Sequence, residues 1–150
     1  MTPSLPLKGA CLCGSVTVTV TQTPLLTVAC HCRDCQKFTA SAFSLTTMVP
    51  RDGFSCDGEV ILGGLKRDGR AHYFCASCLN FVFSQIGDDS PRVNVRTSLL
   101  DAAARFEPFI EIMTEEQMPW AKTPAKHSYA RHPETAEELQ DLFDAYRATL

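Results

Sequence analysis

The sequence lacks long hydrophobic runs. No stretch approaches the roughly 18 consecutive apolar residues of a membrane span, so no transmembrane helix is expected and the membrane is not a partner. The chain start also lacks the continuous apolar segment of a secretory signal, because Ser15 to Thr21 alternates valine with threonine. A cytoplasmic protein is the expectation. An excess of positive charge is missing too: 14 Lys and Arg face 17 Asp and Glu, the net charge is −3, and the basic residues are scattered. Phosphate neutralisation along a nucleic acid needs a basic stripe, so nucleic acid is not an expected partner. There is no internal repeat and no low-complexity tract. What is present is 150 residues, 45% hydrophobic and 21% charged, a globular composition of single-domain length.

Cysteine is the residue in excess. The chain has eight, and seven fall into three clusters: Cys11-Leu-Cys13, Cys30-His-Cys32-Arg-Asp-Cys35 and Cys75-Ala-Ser-Cys78. Disulfides would suit an oxidising compartment or a chain too small to build a core, and neither applies. Closely spaced thiolates suit a tetrahedral Zn²⁺ ion, which binds sulfur at about 2.3 Å. A structural zinc site takes four protein ligands, whereas a catalytic one leaves a position open. The pairs Cys11/Cys13 and Cys75/Cys78 make a closed site that tethers the chain start to a distant hairpin. Metal binding there becomes folding free energy. The triplet Cys30, Cys32 and Cys35 is left with three sulfurs and an open fourth position. Cys56 stands alone and offers an alternative fourth ligand that would close this site. His31, between two ligands, is read as a hydrogen-bonding residue pointing away from the metal, the other reading being ligand or proton carrier.

The expected architecture is mainly β with a short helix and a C-terminal amphipathic helix. Strands are expected over 7–22, 25–29, 41–49, 59–62, 70–74, 80–85, 93–97 and 109–113, with the Cys75 to Cys78 segment as a hairpin turn. A short helix is predicted from Leu99 to Arg105 with Ser98 as N-cap. A longer one over Ala136–Thr149 opens on a Thr135/Glu138 capping box, and Leu139, Leu142, Phe143, Tyr146 and Leu150 form its apolar stripe. That stripe must pack on the same domain or on a partner subunit, giving a monomer or a homodimer.

The segments Lys8 to Val16, Cys30 to Lys37 leading to Ala42-Phe43, and Phe74 to Cys78 resemble the glutathione-dependent formaldehyde-activating enzyme family, which includes the centromere protein V relatives. The resemblance continues through Val93 to Leu100 and into Thr114 to Trp120, where Met118-Pro119-Trp120 looks like the family's closing Pro-Trp. It implies a β-tent type zinc-binding fold over residues 1–121, with 122–150 a C-terminal extension. It implies two zinc ions, a structural one on Cys11, Cys13, Cys75 and Cys78 and a catalytic one on Cys30, Cys32 and Cys35. The implied activity joins formaldehyde to glutathione, a carbon–sulfur lyase reaction run in the direction of addition. Three features depart from the family pattern. Leu79 stands where a glycine usually follows the last cysteine, Glu111 and Met113 stand where His and Trp are frequent, and the helix after Pro133 lies outside the resemblance.

Zinc stabilises a thiolate, so a thiol arriving at the open position would lose its proton and keep its sulfur electron-rich for attack on an aldehyde carbon. Arg33 and Lys37, with Arg51, are the nearest cations in sequence and the candidates for a glutathione carboxylate, unless they are plain solvated surface. Thr39 and Ser41 are candidate hydrogen-bond donors to a ligand, and Phe43 and Trp120 candidate pocket walls. Two rival readings are a zinc-stabilised binding or scaffold domain without turnover, and a zinc-dependent lyase or decarboxylase acting on another small molecule.

Overall fold

A computed structural model of the chain describes residues 4–64 and 69–150. Two sheets carry it. The small sheet holds β1 (Leu7–Ala10), β2 (Thr17–Val20) and β5 (Phe54–Asp57) in the order β1-β2-β5. The large one holds β3 (Leu26–Cys30), β4 (Ser44–Pro50), β6 (Val60–Gly63), β7 (Arg70–Cys75), β8 (Phe81–Ile86), β9 (Arg92–Arg96), β10 (Ile110–Ile112) and β11 (His127–Ser128). Its order is β11-β10-β3-β4-β9-β8-β7-β6. Pairing is antiparallel except where β10 lies parallel to both β3 and β11. Helix α1 (Arg33–Thr39) follows β3, and α2 (Ala136–Arg147) closes the chain. No helix among the described residues is long and apolar enough to cross a membrane.

The two-residue side-chain period of a strand gives the large sheet two different faces. On one face Val49, Val93 and Val95 are fully or almost fully buried, and they pack with Val18 and Val20 of the small sheet and with Val16 just before β2. The expected strand over 7–22 is in fact the hairpin β1-β2, broken by a turn in which Gly14 takes a φ of 79°. The turn lies where the first two cysteines sit. Gly9 brings β1 against the 3-10 turn Thr97–Leu99, because a Cβ there would stand 2.1 Å from the Leu99 carbonyl oxygen. A backbone bridge from Gly9 to Leu100 and a hydrogen bond from Asp101 N–H to the Lys8 carbonyl (2.9 Å) seal the contact.

That contact explains a difference from the sequence reading. The helix expected from Leu99 to Arg105 is two separate 3-10 turns, Thr97–Leu99 and Ala103–Arg105, and Ser98 caps nothing. Leu99 and Leu100 are drawn into the core between the sheets, which prevents a continuous helical stripe. The short helix of the fold is α1 instead, formed at the cysteine triplet.

Helix α2 begins as its capping box requires: Glu138 N–H donates to Thr135 Oγ1 (3.1 Å), while the Glu138 carboxylate accepts from the Glu134 N–H (2.8 Å). Its Leu142, Phe143 and Tyr146 are buried in a second cluster with Leu26, Val28, Phe109 and Ile110 of the same chain. The extension is thus packed on the other face of the large sheet. Leu142→Ala should lower stability by about 3 kcal/mol, the range for deleting a buried leucine. Trp120→Ala, at a side chain 73% exposed, should change it by less than about 0.5 kcal/mol. Urea denaturation of the two variants checks both values.

Candidate functional site

All eight cysteines are free thiols, and seven converge in two groups. Cys11, Cys13, Cys75 and Cys78 form one; Cys30, Cys32 and Cys35 form the other, and within each the sulfurs lie within 4.8 Å of one another. Cys56 belongs to neither. It sits on β5 opposite Val18 and packs against the core.

The four-sulfur group joins the β1-β2 turn to the β7-β8 turn. Sulfurs each about 2.3 Å from one zinc ion would lie roughly 3.8 Å apart at tetrahedral geometry. Cys11 Sγ lies 3.6 Å from Cys13 Sγ, which lies 3.8 Å from Cys75 Sγ. Backbone amides serve the sulfurs: Val16 N–H donates to Cys11 Sγ (3.3 Å) and Cys78 N–H to Cys75 Sγ (3.5 Å). Hydrogen bonds from the Cys78 backbone and then from Ser15 lower the Cys75 thiol to about 6, so it is poised as a thiolate ligand. Leu12 N–H donates to Asn80 Oδ1 (3.0 Å), linking the two turns directly. Leu79 holds a φ of 58°, the left-handed region that glycine enters freely and leucine does not.

The three-sulfur group is set by the start of α1. Cys32 is the N-cap residue, and its Sγ accepts from the Cys35 N–H (3.4 Å), the bond that serine or threonine makes at helix starts. Cys30 adds the third sulfur from the end of β3. The helix is pinned by Gln36, whose Nε2 donates to the His31 carbonyl (2.6 Å) and to the Glu116 carbonyl (3.1 Å). Hydrogen bonds from the Cys30 and Cys32 thiols hold the Cys35 thiol down to about 3 despite burial, and the Arg96 charge adds to this. The same bonds push Cys30 up, as expected when thiols share a site and ionise unequally. Each group is therefore able to hold a metal ion, one with four thiolate ligands and one with three.

His31 is fully buried and points away from the sulfurs, with Nε2 3.0 Å from Glu111 Oε2 and its ring against Phe43. Burial alone would raise the Glu111 carboxyl, but hydrogen bonds from Thr123 and His31 outweigh it and hold the group below the usual carboxylate range. Glu111 is thus a partner of His31, and neither it nor Met113 lines the cavity beside the triplet.

That cavity measures about 620 Å³ and lies on the second face of the large sheet, within the roughly 300–1,000 Å³ range of small-molecule sites. Alternate residues of successive strands form its floor: Cys30 of β3, Ser44 and Thr46 of β4, Arg92, Asn94 and Arg96 of β9, and His72 of β7. Cys35 and Phe38 of α1 wall one end, and Thr135, Leu139 and Phe143 of the C-terminal segment wall the other.

Several sequence-based site residues fall elsewhere. Arg33 and Lys37 are exposed and do not line the cavity; Arg33 instead bonds Gln36 Oε1 (2.7 Å). They lie away from the cavity, which only Cys35 and Phe38 of that helix line. Arg51 is held by the Ser90 carbonyl (2.6 Å) and Gln85 Oε1 (3.0 Å). Thr39 is spent on the Cys35 carbonyl (2.8 Å), Ser41 is exposed, and Trp120 stands in solvent. The cation that sequence reasoning missed is Arg96, about 60 residues along the chain from the triplet yet only two strands from Cys30. The available signal was Arg92-Val-Asn-Val-Arg96, whose polar residues alternate with two buried valines.

Two variants test the four-sulfur group. Cys75→Ser should lose soluble folded protein or become sharply more sensitive to chelators, seen in metal content and melting temperature. Leu79→Gly should raise stability by about 1 kcal/mol by relieving the left-handed conformation at an exposed side chain. Chemical denaturation measures it.

Comparison with known proteins follows the geometry. Residues 6–116 match the profile of the family described as glutathione-dependent formaldehyde-activating enzyme. The crystal structure of a Rhodobacter sphaeroides protein superposes with a TM-score of 0.52 at 20% identity, over 63% of this chain and 88% of that one. It shares the fold. A search of curated proteins gives no significant match. With three-quarters of its length inside the profile and both cysteine groups assembled, the chain belongs to the glutathione-dependent formaldehyde-activating enzyme family.

Proposed function

We propose that the chain is a zinc-dependent enzyme that adds a thiol, glutathione by family, to formaldehyde or a related small aldehyde. The observation that carries this reading is the opening of a three-sulfur group into a cavity of small-molecule size. Cys30, Cys32 and Cys35 would hold the catalytic zinc, and Cys11, Cys13, Cys75 and Cys78 a structural one. Zinc with three thiolate ligands supplies an open position that stabilises a fourth, incoming thiolate.

The chain's own residues do the rest. Three cysteine thiolates would leave a zinc-loaded site with net charge −1, and a substrate thiolate would take it to −2. Arg96 stands beside these sulfurs with its charge uncompensated by any carboxylate among the described residues, and so opposes that build-up. Phe38 and Phe81 add apolar wall to the cavity beside the polar Ser44, His72 and Arg96. Addition forms one carbon–sulfur bond, and the thiol proton ends on the former carbonyl oxygen. His72 lines the same cavity, and burial followed by the Arg96 charge pushes its pKa down, so it is neutral near pH 7 and able to accept a proton.

Cobalt substitution tests the reading. Glutathione should change the thiolate-to-cobalt absorption of the three-cysteine site, and protein with glutathione and formaldehyde should form the hemithioacetal faster than buffer alone. Cys35→Ser should remove both effects while the four-cysteine site keeps the fold. An unchanged cobalt spectrum would sink the glutathione reading.

A further inference from the structure

The cavity floor carries more than the sulfur site needs. Arg92, Asn94 and Arg96 project from β9 into the cavity, and Arg70 lines it from β7. Among the described lining residues only Glu134 is acidic, so a chain of net charge −3 encloses a locally cationic space. Arg96 is 6% exposed, its guanidinium lies 4.5 Å from the centre of the Phe81 ring, and its buried Nε–H meets no acceptor. Asn94 Oδ1, two residues away on the same strand face, is likewise buried without a donor. The Arg96 charge faces the sulfurs of Cys35 and Cys30, but its Nε–H and the Asn94 amide oxygen, buried without a hydrogen-bond partner, cost stability unless something satisfies them.

Register places these groups relative to the sulfurs. Arg96 stands opposite Thr46, which stands opposite Val28; Cys30 is two residues further along β3. The orphaned donor therefore lies one side-chain row from the open metal position, on the same cavity floor. With its face covered by Phe81, the guanidinium has its edge left to offer. That edge matches the two oxygens of a carboxylate.

We propose that the site selects a thiol that also bears a carboxylate, with the sulfur at the Cys30/Cys32/Cys35 site and the carboxylate on Arg96, the specificity-determining residue. This rests on the open-site reading above and adds to it the residue that chooses among thiols. It differs from a role for Arg96 in merely offsetting cluster charge, which would favour every thiol equally.

The test titrates cobalt-loaded protein with two thiols of equal chain length, 3-mercaptopropionate and 3-mercapto-1-propanol, following the absorption of the three-cysteine site. The anionic thiol should half-saturate at a concentration at least about tenfold lower, the lower end for a charge-assisted hydrogen bond. Arg96→Met should bring the two within about twofold, and Arg96→Lys should keep part of the preference. Equal affinities in the unmodified protein would overturn the assignment without needing any variant to fold. A preference that survives in Arg96→Met would overturn it as well, as would a uniform loss for both thiols. If neither thiol changes the spectrum, the open-site reading falls too, which separates the two failures.

Discussion

Four thiols drawn from turns about 60 residues apart converge on one point, and the rest of the molecule is arranged around that convergence. Left to themselves, ionised sulfurs at 3.6–3.8 Å repel. A cation at their centre would turn that repulsion into a cross-link between the small sheet and the β7-β8 hairpin. The backbone is prepared for it. Amides of Val16 and Cys78 already point at sulfur, and Leu79 holds a left-handed conformation so that the second turn can close.

With the small sheet fixed to one face of the large sheet, the other face is free to be a floor. Strand β9 shows the division most clearly. Val93 and Val95 enter the core between the sheets, while Arg92, Asn94 and Arg96 enter the cavity. The two helices stand at opposite ends of this floor. Helix α1 brings Cys32 and Cys35 to it through its N-terminal turn, and α2 closes the far end with Leu139 and Phe143 while burying Leu142 and Tyr146 behind them. The far wall comes from residues beyond the family match, which ends at 116. The metal groups thus belong to the part of the chain shared with the family, and part of the cavity's shape belongs to this chain's own extension.

The cysteine clusters were legible in the sequence because metal-type ligands come at short spacing, and ligand counting divides seven of them into four and three; the fold decided that Cys56 stays out of the triplet. Most strands and the α2 capping box were legible for the same reason, since their signals lie within a few residues. The short helix was misplaced. Its true start uses cysteine as the N-cap, a role that looks like a metal loop until the backbone is seen, whereas the stretch after Ser98 has its leucines claimed by the core.

Sequence by itself therefore determined which cysteines cluster along the chain, the β-rich class and the C-terminal helix, all consequences of spacing along the chain. Tertiary structure alone decided which cation lines the cavity beside the triplet. Arg33 and Lys37 are near the triplet in sequence but lie away from the cavity, because the 3.6-residue turn of α1 carries them away from Cys35. Arg96 is remote in sequence and reads as the solvent side of an alternating strand. It became a buried cavity residue because sheet order sets β9 beside β4 and β4 beside β3, a pairing that depends on contacts across the whole chain.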